Sequence, residues 1–104
     1  MDRVEFLILR NLIHNEEYVR KVIPFIKGDY FENYNEKVVF EEIIKFVQEY
    51  NQPVTKEVLC IETEKRQDIN DSSFKEITQL IGSLEEEHTE FNWLVDTTEK
   101  WCRD

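Results

Sequence analysis

Apolar residues recur every three or four positions along most of the chain, which is the spacing of helices with one buried face. The first stretch is apolar around most of its circumference, which predicts a central helix. Its apolar residues are Val4, Phe6, Leu7, Ile8, Leu9, Leu12 and Ile13. Asn15, followed by two acids, is a typical cap and predicts a second helix that ends at Gly28. The inward stripe of this helix is predicted to be Tyr18, Val22 and Ile26.

A long third helix is predicted after a short connection at Tyr30-Phe31. Its apolar residues are Val39, Phe40, Ile43, Ile44, Phe46, Val47 and Tyr50. Proline has no backbone N–H and pushes the residue before it out of helical geometry, so Asn51 to Pro53 should end this helix. Thr55 can then cap a fourth helix, whose apolar residues are predicted to be Val58, Leu59 and Ile61.

Two more helices are predicted in the last third of the chain. Ser73 with Glu76 three positions later has the capping-box pattern. It precedes apolar residues at helical spacing, namely Phe74, Ile77, Leu80, Ile81 and Leu84. Thr89 is predicted to cap a sixth helix in which Trp93 points away from the buried face. That face is predicted to hold Phe91, Leu94, Val95, Thr98, Trp101 and Cys102.

The sixth helix shows no stop signal, because no Gly, Asn or Pro follows Trp101 before Asp104. We therefore expect it to continue toward a linker. The predicted organisation is a globular helical subdomain at residues 1–88 and the start of a helical hairpin or linker at residues 89–104.

Composition supports an all-helical reading. Only 2 Gly and 2 Pro among 104 residues leave few positions for tight turns, which argues against a sandwich or barrel of short strands. The predicted fold class is all-α, a compact orthogonal bundle of about six helices, with the last helix forming the first arm of a truncated hairpin.

The formal charge of −10 makes strong direct binding of nucleic acid by this domain improbable, since DNA is itself densely negative. Residues 71–104 contain nine acids and three bases, so the acidity is concentrated there. A solvated helix face explains such a run, and a docking surface for a basic protein is the sharper alternative.

The cellular compartment is indicated by the thiols and by the apolar stretches. Cys60 and Cys102 lack the Cys-x-x-Cys spacing, and no apolar leader marks the amino terminus. The apolar run from Phe6 to Leu9 is far shorter than the roughly 20 residues that cross a bilayer. We expect reduced thiols in a soluble, cytoplasmic protein with no membrane association.

The sequence has no pattern typical of a nucleotide-binding site. The only glycines, Gly28 and Gly82, are followed by Asp29 and Ser83 and not by the lysine and hydroxyl of a phosphate-binding loop. We therefore expect no nucleotide site, no bound cofactor and no ATP hydrolysis in this chain.

Metal binding and nucleophilic catalysis are the remaining chemical alternatives. The soft ligands do not fall within the short spacings of structural zinc sites; they are His14, His88, Cys60 and Cys102. Glu85 to His88 are consecutive, so their side chains diverge on a helix and are expected to face water. A Cys60 nucleophile with His14 or His88 as base stays open as an enzymatic hypothesis, against the simpler reading of a small buried side chain.

The aromatic residues indicate packing more than base stacking, because those between residues 30 and 46 alternate mainly with acids. The two tryptophans differ, since both lie on the unfinished sixth helix. Large rings on a small domain often mark a protein interface. The residues predicted to form interface contacts are Trp93, Leu94, Trp101 and Cys102.

The order of these elements resembles the amino-terminal domain of the DnaB-type replicative DNA helicases. The resemblance runs from Glu5 to about Arg103 and lies in spaced positions: Glu5, Leu9, Leu12-Ile13, Val22 to Ile26, Tyr30-Phe31, Val39-Phe40, Gln52-Pro53-Val54 and Leu59. The stretches Trp93-Leu94-Val95 and Thr98-Glu99-Lys100 look closest to bacteriophage members.

The resemblance implies a non-catalytic domain of a phage replicative helicase, in the host cell cytoplasm. In that family the domain is a helical globule followed by a helical hairpin, and hairpins of neighbouring subunits pair into a collar on a hexameric ring. The implied partners are other helicase subunits, primase and, in some members, a helicase loader. ATP and Mg²⁺ would belong to an absent motor domain. A free-standing acidic helical adaptor or DNA-mimic inhibitor is the alternative function.

Overall fold

The computed structural model describes residues 3–103, which form six α-helices and one short 3₁₀-helix, with no β-strand among them. The predicted all-helical bundle is therefore confirmed. The helices are α1 (Val4–His14), α2 (Glu16–Val22), α3 (Tyr34–Tyr50), α4 (Lys56–Glu64), α5 (Asp71–Ser83) and α6 (Phe91–Arg103), and the 3₁₀-helix spans Gly28–Tyr30.

The helices pack in two groups of three. Helices α1, α2 and α6 contact one another, helices α3, α4 and α5 contact one another, and α1 also packs on α3. Ile8, Leu9 and Leu12 on α1 are completely buried, which confirms the prediction of a central first helix. Fully buried apolar side chains of other helices complete the core; they include Val22, Val38, Ile43, Ile77 and Leu84.

Side-chain caps define the start of four helices. In each, a side-chain oxygen accepts a hydrogen bond from the main-chain N–H three residues further on, which satisfies one of the donors that a helix start leaves free. The capping residues are Asn15, Asn33, Thr55 and Asn70. The predicted caps of α2 and α4 are confirmed.

The predicted capping box at the start of α5 is wrong. Asn70 is the cap, and Ser73 contributes the main-chain N–H that Asn70 Oδ1 accepts at 2.8 Å. The Glu76 carboxylate does not reach back to the helix start, because it accepts a hydrogen bond from Asn35 Nδ2 at 2.8 Å. The cap is Asn70 in place of Ser73, so the helix begins at Asp71, three residues earlier than the box predicts.

The predicted cap of α6 is displaced by one residue. Glu90 Oε2 accepts the hydrogen bond from the Trp93 N–H at 2.5 Å. Thr89 Oγ1 instead accepts a hydrogen bond from Arg10 Nη2 at 3.0 Å. A tertiary contact with α1 therefore uses the side chain that local sequence assigns to capping.

Helix α2 is shorter than predicted because of Pro24. It ends at Val22 and not at Gly28, since Pro24 has no N–H to continue the helical ladder. The main-chain N–H groups of Phe25 and Ile26 both bond to the Val22 carbonyl, so the chain turns there. Ile26 is still buried, with 6% of its surface exposed, although it lies outside the helix.

Helix α3 ends at a left-handed residue, Asn51, with φ 52° and ψ 40°. Its N–H bonds to the Val47 carbonyl at 2.8 Å, which closes the last turn. Asparagine tolerates this conformation better than other residues with a Cβ atom. The predicted stop before Pro53 and the start of α4 after Thr55 are confirmed.

Asn51→Ala should lower the free energy of unfolding by about 1 kcal/mol, since alanine in left-handed geometry meets a steric cost that asparagine relieves. Asn51→Gly is the control and should change it by less than about 0.5 kcal/mol, because glycine adopts this geometry freely. Urea denaturation of both variants measures the difference. Equal losses would mean that the Asn51 side chain, and not its backbone geometry, is what matters.

Ile61 lies on α4, as predicted, and its side chain points outward. The side chains of Leu59 and Thr63, four positions apart, are buried, whereas Ile61 between them is 49% exposed. Residues two positions apart lie on nearly opposite sides of a helix, so a helix that buries Leu59 must expose Ile61.

Helix α6 buries the predicted face. Leu94, Val95 and Thr98 are buried, and Trp93 points away with 51% of its surface exposed. The helix packs on α1 and α2, and the domain division at residue 88 stays a prediction. Its predicted continuation through Asp104 lies outside the described residues. Within residues 3–103, no helix has the length and apolar character needed to cross a bilayer.

Candidate interaction surface

Helix α6 is positioned by a buried hydrogen bond to α2. Thr98 Oγ1 donates to the Leu94 carbonyl at 2.8 Å, so its only hydrogen is occupied. The Tyr18 hydroxyl, at 2.7 Å, therefore donates to Thr98 Oγ1. Burial raises the pKa of Tyr18 far above its ordinary value, although the hydrogen bond with Thr98 partly opposes that shift. The tyrosine stays a neutral donor that fixes the rotation of α6.

The four predicted interface residues occupy different settings on α6. Leu94 is 1% exposed and packs in the core of this chain, so its side chain has no surface for another protein while that core is intact. Trp101 and Cys102 are half-buried. Only Trp93 presents most of its side chain to solvent.

Trp101 is fixed by contacts within the chain. Its ring meets Phe31 edge-on at a centroid distance of 4.8 Å, and Tyr30 at 6.1 Å. Its indole N–H donates to Glu5 Oε2 at 3.1 Å, which ties α6 to the start of α1. The sequence analysis did not find the pairing of Glu5 and Trp101, because 96 positions separate the two residues.

Trp93 lies on the outer face of α6, with the charged residues Asp96 and Lys100 three and seven positions further on. No aromatic ring in residues 3–103 packs against it. An exposed indole on an otherwise polar helix face is the kind of side chain that protein interfaces bury.

Both cysteines are half-buried free thiols. Burial raises the pKa of each, and Lys56 partly offsets this for Cys60 whereas Glu99 adds to it for Cys102. Because the thiolate is the nucleophile, a raised pKa lowers its population at neutral pH. The raised pKa of Cys60 therefore does not favour a role as nucleophile.

Both histidines line one hydrophilic cleft, which the sequence pattern did not predict. The cleft has a volume of about 440 Å³ and is lined by His14, His88, Glu86 and Glu87, among others. His14 Nε2 lies 2.7 Å from the Leu84 carbonyl and donates to it. Among residues 3–103, no group of three His, Cys, Asp or Glu side chains is arranged to hold a metal ion.

Arg10 on α1 holds the segment before α6 in place. The residue is 5% exposed, and Nη1 donates to Glu87 Oε2 at 2.8 Å while Nη2 donates to Thr89 Oγ1 at 3.0 Å. These bonds fasten the connection between α5 and α6 to α1. The sequence indicates that Arg10 is buried and needs partners, since it lies on a helix that is apolar around most of its circumference.

Two buried acids are paired with arginines. Glu36 accepts hydrogen bonds from Arg3 at 2.8 and 3.2 Å, and Glu42 accepts one from Arg66 at 2.9 Å. Burial raises the pKa of Glu36, and Arg3 partly offsets the shift. Arg66 also bonds Asp68 at 2.6 Å and holds the pKa of that carboxyl down at about 2.

Comparison with known proteins gives one informative relationship. No family model matches the chain. The chain is 30% identical over 97 residues to the DnaB-like replicative helicase of Enterobacteria phage T4, and the alignment covers 93% of the chain. It covers 20% of the T4 protein, so the chain spans about a fifth of the length of this relative. Nearly the whole chain is therefore related in sequence to one segment of a phage replicative helicase.

Proposed function

We propose that the chain acts as the amino-terminal domain of a phage replicative DNA helicase, where it helps to assemble the hexameric ring and recruits primase. It supplies a protein-binding scaffold. A motor domain elsewhere in the helicase binds ATP with Mg²⁺ and hydrolyses it. A helicase loader is a further partner of the same collar.

The single observation that supports this proposal best is the alignment with the T4 helicase. It extends over 93% of the chain and therefore includes both helix groups, not one isolated motif. The relative is named as a replicative helicase, and a segment of about a fifth of its length is the size of one domain among several.

Helix α6 supplies the surface that suits assembly. Its inner face is fixed by Leu94 and Thr98, while Trp93 faces outward on the same rigid element. An exposed aromatic anchor on a rigid helix loses little side-chain entropy on binding, which favours it as a contact between subunits.

The proposal is tested in the full-length hexamer of the helicase that contains this domain. Trp93→Ala should shift the hexamer toward smaller species or weaken its binding of the cognate primase by about tenfold, as loss of an aromatic anchor does. Asn92→Ala, also exposed on α6, is the matched control and should do neither. Native mass spectrometry reports the ring and co-elution reports the primase. A hexamer that never binds the primase would remove the recruitment role.

The acidic adaptor or DNA-mimic inhibitor is retained as a second candidate because the formal charge is −10. Binding by charge mimicry weakens steeply as salt rises, since ions screen exposed charges. Steep salt dependence of binding to a basic protein, together with no effect of Trp93→Ala on that binding, would favour this candidate.

A further inference from the structure

A cleft beside Trp101 has the composition of a cation-binding site. It lies between the start of α1, the 3₁₀-helix and α6, and has a volume of about 360 Å³. We call it the Trp101 cleft, and its lining residues are Glu5, Asp29, Tyr30, Glu32, Trp101 and Cys102. Trp101 is immobilised by its ring contacts and by its hydrogen bond to Glu5, so the aromatic wall is formed before any ligand arrives.

The charge of the Trp101 cleft is negative. Three carboxylates line it, from Glu5, Asp29 and Glu32, and no Lys or Arg is among its lining residues. Arg3 lies 3.4 Å from Glu5 and Lys37 lies 3.2 Å from Asp29, which neutralises part of this charge. Within residues 3–103, Glu32 forms no ion pair, and it is exposed at the rim.

The surface continues past Tyr30 and Cys102 into a second depression. This one has a volume of about 420 Å³ and adds Phe25, Glu99 and Arg103 to the lining. Two neighbouring depressions that share Tyr30 and Cys102 suit an extended chain segment, which places successive side chains several ångströms apart.

We propose that the Trp101 cleft binds a lysine or arginine side chain on a basic segment of a protein partner. An ammonium or guanidinium group is attracted both to aromatic rings and to carboxylates, and the cleft offers both kinds of group around one space. A second copy of this chain is a poor occupant of this cleft, because the three carboxylates that line it favour a basic segment over the surface of an acidic chain.

This surface is separate from the proposed function, because the Trp101 cleft and the exposed Trp93 are different parts of α6. The experiment below uses the isolated chain and synthetic peptides, so its failure would leave ring assembly and primase recruitment untouched. Failure of the hexamer experiment would likewise leave the cleft open to a basic partner.

The test follows the two indole N–H signals by nuclear magnetic resonance. A blocked glycine–serine peptide with one central arginine is added at low salt, and the lysine and glutamine versions are added in parallel. The Trp101 signal should shift with the arginine and lysine peptides and stay still with the glutamine peptide. Trp93, exposed on another face of the same helix, is the internal control and should not shift.

Variants identify the carboxylates. Glu5→Gln, which keeps an oxygen to accept the Trp101 N–H, and Glu32→Gln, at the exposed rim, should each weaken arginine-peptide binding about threefold or more. Glu17→Gln removes the same charge from an exposed position on α2 and is the matched control, with less than a twofold change expected.

Several results would overturn the proposal. They are an unmoved Trp101 signal at millimolar peptide, an equal response to the glutamine peptide, or equal weakening by Glu17→Gln and Glu32→Gln. A Trp101 signal that shifts with protein concentration alone would identify a second copy as the occupant. Tighter binding of free guanidinium than of the arginine peptide would identify a small cation in place of a protein segment.

Discussion

Leu59→Ala should lower the free energy of unfolding by about 2–5 kcal/mol, because it removes a side chain that is 1% exposed and leaves a cavity between α4 and its neighbours. Ile61→Ala, two positions further on, is the matched control. Its side chain is 49% exposed, so the change should stay within about 0.5 kcal/mol. The pair separates burial from hydrophobicity, since both substitutions shorten a large aliphatic residue on one helix.

Thermal and urea denaturation of both variants measure the difference. For a domain of this size, each kcal/mol corresponds to a shift in melting temperature of about 4–8 °C, so the two variants should differ by well over 5 °C. A loss for Ile61→Ala as large as that for Leu59→Ala would contradict the orientation of α4.

Thr98→Val, which hardly alters the shape of the side chain, should lower the free energy of unfolding by about 1–3 kcal/mol. Valine keeps the volume but removes the oxygen that accepts the Tyr18 hydroxyl, and Tyr18 is fully buried. Leaving a buried donor without an acceptor costs more free energy than removing the donor and the acceptor together. Tyr18→Phe should therefore cost about 1 kcal/mol or less, because Thr98 still donates to the Leu94 carbonyl.

The double variant tests whether the unsatisfied Tyr18 hydroxyl causes the loss of stability in Thr98→Val. Tyr18→Phe combined with Thr98→Val should be more stable than Thr98→Val alone, since no donor is then left unsatisfied. Chemical denaturation of the four proteins gives the coupling free energy. A double variant that loses the sum of both single losses would show that the two hydroxyl groups act independently.

Most of the helices could be predicted because their signals are local. Asn15 and Thr55 cap helices within three residues, and Pro53 acts on its own neighbours, so periodicity and punctuation place α2, α3 and α4. The errors arose where a second contact competed with the local one. Asn35 takes the carboxylate of Glu76, and Arg10 takes the hydroxyl of Thr89. Pro24 was a local signal that the prediction of α2 overlooked.

The candidate surface was less predictable, because it depends on residues far apart in the sequence. The pattern identified the buried face of α6 and the outward direction of Trp93. It could not bring Glu5 to Trp101 or His14 to the neighbourhood of His88, since pairings over 70 or more positions follow from the packing of whole helices. Leu94 lies on the predicted buried face and is covered by its own chain, and its role in an interface stays a prediction.

The return of α6 to α1 and α2 sets the order in which this body can be completed during synthesis. The bonds that seal its first group of helices join Arg10 to Thr89, Tyr18 to Thr98 and Glu5 to Trp101. A ribosome adds about 5–20 residues per second, so the early helices wait on the order of seconds for their final partner. During that interval the apolar surface of α1 stays open to chaperones and to other nascent chains.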